Sequence, residues 1–515
     1  MTDLQNAHAS DFVGHAQARI HTMNQAAREL VEELGLPPEA ACDVLSEMYG
    51  KRMPLGDSVL GMDIRTGEHV TLMQEERLGG LYIVGKGGTG KSWLIANLIE
   101  HDMRQNLGLC LLDPHGDAIE RVLASLPSSR EKDVILIDAL DEGCIFGLNL
   151  FQCEDWKDAE QYSRTVSYAM GIFTKLFAGG DSQMGLVMAE VLQNVVMTLV
   201  ENPGCTLAEI PLLLQDEGAR AMLVKNVTNK RVRHFWRLYD HMDRQERQYL
   251  TESTLIRVGV LLADPVVLHI FGQSKTTIDF RRIMDEGKIL LVKLSSQHSS
   301  MTALVGAAIV GQLLEAARSR THLQQERRRP FHLYVDELQH FAIQDMAVLL
   351  AEARKFAVAT TVAHQFRDQL DDANKSATLT AANLVAFQVG GKDGEELATQ
   401  FGHTFLPEAR RGAGEQRTSD VQAKIVRTLV SLQKYVALVR VGGSEYLVTT
   451  RPPKERHSQP EREARLKRMR KQTQAHYCKP RNEVDSEIEV RLGLLRQRQL
   501  SRKSRLATES SEDLI

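Results

Sequence analysis

Residues 85–92 read GKGGTGKS, a glycine-rich octet that ends in lysine and serine. The apolar run LYIV precedes it, and WLIANLIE follows with apolar residues at helical spacing. This leaves little choice of local structure: a buried strand turns sharply and re-emerges as a helix. Gly85, Gly87, Gly88 and Gly90 permit the turn and bring backbone N–H groups close to an anion, while the positive end of the helix favours negative charge. In such a cradle Thr89 completes the loop, Lys91 reaches the β- and γ-phosphates of a nucleotide such as ATP, and the Ser92 hydroxyl holds Mg²⁺. Lys86 has no defined role in the pattern.

Turnover needs further groups. In PFHLYVDELQHF, residues 330–341, Asp336 and Glu337 fall at the end of a buried strand. Adjacent carboxylates there are costly unless they meet a cation or move a proton. Asp336 is expected to position Mg²⁺ through its water shell, and Glu337 to orient and deprotonate an attacking water. An acidic first helical turn is the plain structural alternative. One apolar run later, Gln365 lies just beyond residues 357–362, where its amide either contacts the γ-phosphate and the water or simply ends a strand. In DPHGD, residues 113–117, Asp113 and His115 either join this machinery or make a capped strand-to-helix turn.

Short, continuously apolar runs occur at residues 81–84, 109–112, 134–137, 289–294, 333–335, 357–362, 384–389 and 435–441. Unbroken apolarity suits strands covered on both faces, so the expected class is α/β with a mostly parallel sheet. Residues 60–72 resemble a hairpin around Thr66 and Gly67. Between residues 155 and 275 the periodicity becomes helical. The expected organisation is a helical N-terminal extension (1–55), a first core segment (56–154), an all-helical insertion (155–280), a second core segment (281–450) and a charged, basic tail (451–515), read as a solvated helix or disorder.

Charge limits the partners. The 515-residue chain carries a formal −4, yet residues 451–515 hold 17 Lys/Arg against 10 Asp/Glu, so the body of the chain is acidic. Any polyanion site there must be a local patch or a ring built by assembly. Residues 220–247 contain eight Lys/Arg and three acidic residues among Phe235, Trp236 and Tyr239. Basic residues with aromatics can track a nucleic-acid backbone, although a buried stripe of Phe235, Leu238 and Tyr239 beside a solvated basic face is the favoured reading. The six cysteines form no CxxC pair and read as mostly buried thiols in a reducing compartment. The N-terminus lacks a signal-peptide layout, and the most apolar stretch, residues 303–314, falls short of the ~20 residues that span a bilayer. A soluble protein without its own transmembrane segment is expected.

The segments LYIVGKGGTGKS, CLLDPHGD, GLNLF, FGQSKTTIDFRRIMDEGKILLVKL, RRRPFHLYVDELQHFA, LLAEARKFAVATTVAHQ and AFQVGGKDGEELATQFG occur in this order. Across residues 60–450 the chain resembles the P-loop ATPases of the FtsK–HerA superfamily, most of all the TraG/TraD-type coupling proteins of type IV secretion and conjugation. The resemblance implies a RecA-like core with an all-helical insertion, assembled as a homo-oligomeric ring, usually a hexamer, that hydrolyses ATP to translocate DNA. In such a ring a neighbour's arginine stabilises transition-state charge. Arg354 is the first candidate and Arg257 the second; a solvated Arg354 paired with Glu352 or Asp345 is the alternative. The resemblance also implies a sensor role for Gln365. Family members typically begin with transmembrane helices, whereas this N-terminus carries soluble helical text. A cytoplasmic protein is therefore expected, one that either docks on a secretion-channel or membrane partner or works in the cytoplasm as other HerA-like motors do. A motor for protein substrates, or an ATP-gated platform that recruits a nuclease or secretion partner, are the rival functions.

Overall fold

Seven of the apolar runs become parallel strands because each is hidden on both faces, which leaves no polar side for solvent. The computed structural model describes residues 58–177, 184–341, 348–350, 352–402, 418–450, 457–493 and 495. The chain divides into compact units at residues 1–58 and 59–515, and the expected N-terminal extension lies outside the described residues. The strands are β1 (Ser58–Asp63), β2 (His69–Leu72), β3 (Leu81–Val84), β4 (Gly108–Asp113), β5 (Val134–Asp138), β6 (Ile289–Lys293), β7 (Phe331–Val335), β8 (Val358–His364), β9 (Asn383–Ala386), β10 (Val436–Val441) and β11 (Ser444–Thr449). They form one 11-stranded sheet in the order β2-β1-β11-β10-β9-β3-β8-β7-β4-β6-β5. From β9 to β5 all neighbours are parallel, while β10 pairs antiparallel with both β9 and β11.

Alternate residues of each strand serve opposite cores, as the two-residue pleat requires. Leu81 and Ile83 join the P-loop helix residues Leu94, Ile95 and Leu98, whereas Tyr82 and Val84 join the core that continues into the helical layer opposite. On that opposite face lies the helix Ser299–Arg318. With its last turn, Ser299–His322 is long and apolar enough to cross a membrane by length and composition, longer than the expected 303–314 run. It is instead a core helix with 78% of its apolar window buried. Gly306 shows how closely it packs, since a Cβ there would come within 2.1 Å of the Phe341 ring.

Between β5 and β6 the described residues form helices and, apart from an isolated bridge from Ile145 to Lys479, no β pairing. The helix Lys230–His241 buries Val232, Trp236 and Tyr239. Trp236 Nε1 donates to Thr198 Oγ1 at 2.8 Å, and the Tyr239 hydroxyl donates to the Leu214 carbonyl at 2.7 Å. The aromatic stripe is thus core, but Leu238 is exposed rather than part of it, because the helix rotates Trp236 and Val232 inward instead. Lys230, Arg231, Arg233 and Arg237 remain on the solvent face.

The C-terminal segment differs from the solvated reading. The helix Gln459–Tyr477 lies against the β5 edge, burying Arg465, Met469 and Thr473. Thr473 Oγ1 accepts the Leu136 N–H at 3.0 Å, closing an otherwise open strand edge. A second helix, residues 481–493, packs Val484 and Ile488 on Ile145 and meets the helical insertion. Arg491 Nε pairs with the fully buried Glu209 at 2.6 Å, and Glu487 accepts from Ser274 and Lys479. While Cys110, Cys153 and Cys205 are free, Cys144 and Cys478 form a disulfide, a correction for this pair to the reading of the cysteines as mostly buried thiols. Their 334-residue separation gives no pattern in the chain, and only the packing of this segment brings their Cα atoms to 5.0 Å.

Candidate nucleotide site

β3 ends at Val84, and the helix Lys91–Arg104 starts after Gly90, so the octet forms the loop between them. Gly88 and Gly90 adopt φ of 74° and 128°, values that disfavour a side chain. The loop is braced internally: Thr89 Oγ1 donates to the Lys86 carbonyl at 2.8 Å, and the Lys86 N–H donates to Gln388 at 2.8 Å. Lys86 therefore acts through its backbone. Lys91 is buried, and its ammonium donates to the carbonyls of Gly85 at 2.7 Å and Lys86 at 3.2 Å. Burial lowers its pKa, opposed by the charges of Glu337 and Asp336.

Parallel pairing of β3, β8, β7 and β4 puts the ends of these strands beside the loop. Ser92 Oγ donates to Asp336 Oδ2 at 3.0 Å, joining residues 244 positions apart. Asp336 is 5% exposed. Burial, with the nearby charges of Asp113 and Glu337, pushes its pKa up to about 6 against the smaller opposing effects of Ser92 and Lys91. Crowded carboxylates of this kind call for a cation. The oxygens of Ser92 and Asp336 would suit Mg²⁺, which is commonly held by one or two protein oxygens plus phosphate and water. Among the described residues no cluster of three His, Cys, Asp or Glu offers a metal site of its own.

Glu337 has φ 53° and ψ 59°, a left-handed conformation that is costly for a residue with a side chain and recurs at functional sites. Both its carboxylate oxygens are held, one by Gln365 Nε2 at 2.7 Å and the other by Gln339 Nε2 at 2.8 Å. Gln365 also faces the loop, since a Cβ on Gly87 would stand 3.7 Å from its Oε1. Gln339 is invisible to motif reading; a polar residue two positions beyond a carboxylate doublet has no distinctive signal. Asp113 accepts from the N–H groups of His115, Ala118 and Ile119 at 2.8 to 3.1 Å, so it caps the helix Asp117–Ser125. The capped-turn reading holds for Asp113, while its charge still bears on Asp336. His115 is exposed, with its ring 6.4 Å from that of His340.

Arg354 lies in the short turn Ala353–Phe356, exposed, and is joined to the carboxylate cluster by no hydrogen bond or ion pair among the described residues. Glu352 pairs with Lys355 instead, and Asp345 lies outside the described residues. Arg257 donates to Ser253 Oγ at 2.5 Å within the helical insertion. Neither arginine makes a hydrogen bond or ion pair with the cradle of its own chain among the described residues.

A phosphate loop on a parallel sheet, with carboxylates at the neighbouring strand ends, defines a P-loop protein with a RecA-like core. The family model for the type IV secretion-system coupling protein DNA-binding domain matches residues 68–404, and the chain belongs to that family. Among solved structures it is similar to the plasmid coupling protein TrwB in complex with the non-hydrolysable GTP analogue GDPNP, at 18% identity and a TM-score of 0.52, covering 81% of this chain and 92% of that one. TrwB in complex with ADP and Mg²⁺ gives 17% identity, a TM-score of 0.51 and the same coverage. At this identity the likeness concerns the fold alone. No curated protein sequence matches the chain.

Proposed function

We propose that this chain is the ATPase motor of a type IV secretion or conjugation system, a ring that couples ATP hydrolysis to DNA translocation. The observation that carries the reading is the convergence of Ser92 and Asp336 at 3.0 Å beside a Glu337 held by Gln365. TrwB structures that contain ADP with Mg²⁺ and analogues of ATP and GTP support the same ligand class. When bound, Mg²⁺ supplies charge neutralisation on the β- and γ-phosphates. Ser92 and Asp336 would hold it. Lys91, which donates to the carbonyls of Gly85 and Lys86, would turn to phosphate oxygens of the nucleotide. Glu337 accepts the proton of the attacking water, and Gln365, touching both Glu337 and the loop, positions that carboxylate.

Arg354 fits a role in the neighbouring subunit's site because it projects from the surface. A hexameric ring would gather the exposed arginines of the helix Lys230–His241 into a basic surface that a single acidic subunit lacks. The chain works on the cytoplasmic side of a membrane partner. The test is ATP hydrolysis by the purified full chain with and without single- and double-stranded DNA, together with streptavidin eviction from biotinylated DNA. DNA-stimulated turnover with eviction is expected; nucleotide-dependent assembly without eviction would replace the motor by a platform.

A further inference from the structure

Beside the cradle, on the side away from Asp336, an aromatic pair has no part in the chemistry described above. Trp93, in the first turn of the P-loop helix, stacks on Tyr435 with ring centroids 4.5 Å apart and planes 22° from parallel. Both rings are half-buried. The tyrosine ring forms part of the loop wall, since a Cβ on Gly90 would lie 3.1 Å from Tyr435 Cδ1. The exposed Lys434 places its ammonium 4.8 Å from the Tyr435 ring centroid, a cation over an aromatic face.

The backbone at Tyr435 is unusual. Its φ is 68°, a left-handed value that an aromatic residue adopts at a cost and that glycine or asparagine would adopt freely. Hydrogen bonds hold it there: the Tyr435 N–H donates to the carbonyl of Thr89, inside the phosphate loop, at 2.8 Å, and the Tyr435 carbonyl accepts from Thr450 N at 2.8 Å and Thr450 Oγ1 at 3.1 Å. A simple turn before β10 requires none of this. The outcome is a flat aromatic surface tied to the loop that would grip the phosphates.

We propose that Trp93 and Tyr435 form a stacking platform for the base of the bound nucleotide, with Lys434 yielding its place over the tyrosine ring. Ring faces do not read base edges, so the platform takes adenine and guanine alike and favours both over the smaller pyrimidines. The inference rests on the P-loop reading, and tripolyphosphate separates the two, because it offers phosphates without a base.

Calorimetric titration of the full chain with the magnesium salts of ATP, GTP, CTP and tripolyphosphate tests it. The wild type should bind both purine nucleotides more tightly than CTP, and CTP more tightly than tripolyphosphate. Tyr435→Gly, which suits the left-handed backbone, should weaken ATP and GTP by about tenfold or more and leave tripolyphosphate within about twofold. Tyr435→Phe should restore purine affinity. Should the glycine variant not fold, Trp93→Leu carries the same expectation. Equal losses for ATP and tripolyphosphate, or no loss for either, would overturn the platform while the cradle stands. A wild-type chain that binds neither ligand removes the cradle and the platform with it.

Discussion

At the cradle, Asp336 and Glu337 are 5% and 6% exposed, and the ammonium of Lys91 donates to two backbone carbonyls rather than to either carboxylate. In the C-terminal segment, Glu487 meets Lys479 at 2.6 Å and Glu209 meets Arg491 at 2.6 Å. The two regions hold the same kinds of side chain in opposite states. One leaves its carboxylates short of positive charge, so a cationic ligand gains by arriving; the other gives each carboxylate a cation from its own chain. Incomplete neutralisation in a buried place marks a site, and complete neutralisation marks a fastening.

The largest effect is expected where the contrast is chemical. Glu337→Gln should lower phosphate release by at least about a hundredfold, the usual contribution of a positioned base, while equilibrium dialysis shows ATP still bound. Near-normal turnover would remove Glu337 from the chemistry and weaken the contrast.

Next comes the fastening. Arg491→Ala leaves Glu209 buried without its cation and should cost about 3 kcal/mol in denaturant unfolding. Loss of less than about 1 kcal/mol would return the C-terminal segment to the loosely attached tail that its composition suggests.

A third, smaller effect separates the regions by pH. The Asp336 carboxyl has its pKa raised from 3.8 to about 6, so its contribution favours the folded state at acid pH and is lost as pH rises from about 4 through 6. Around 2 to 3 kcal/mol is at stake in the nucleotide-free protein. Glu487 behaves in the opposite sense: although burial acts to raise its pKa, Lys479 and Ser274 outweigh burial and hold it down to about 2, so its contribution is present above 4.5 and lost below. Asp336→Asn should therefore flatten the stability profile between pH 4 and 6, and Glu487→Gln should flatten it only below 4.5, as read by thermal unfolding in ligand-free buffer. A profile unchanged by Asp336→Asn would mean that the carboxylate is already neutralised. At the small end, Arg468→Ala breaks an ion pair with Glu131 in which the arginine is 61% exposed, and no measurable change in denaturant unfolding is expected.

Much of the cradle was legible in the chain because its requirements are local. Glycine conformations, a strand before and a helix after act within eight residues, so GKGGTGKS carries its own structure. The carboxylate doublet was legible for the same reason, at the end of an apolar run. β11 and the antiparallel turn after β10 were missed, since SEYLVT has weak apolar character and is a strand only because β10 and β1 flank it. Leu238 was assigned to the wrong side of its helix because sequence spacing allows several faces and only packing against Thr198 and Leu214 chooses one. The C-terminal segment misled because charge-rich text signals solvation unless partners exist, and those partners, Glu131, Glu209 and Ser274, lie far away in the chain.

By itself, then, the order of residues determined the phosphate loop, the buried strands and the pairing of a cradle with two carboxylates, since each depends on neighbours a few positions away. Tertiary structure alone decided that Ser92 touches Asp336, that Gln365 holds Glu337, that Trp93 meets Tyr435, and that a basic tail is a clasp. Such contacts join residues tens to hundreds of positions apart, and their energies exist only after the sheet has brought them within about 3 to 5 Å, a distance that no local pattern encodes.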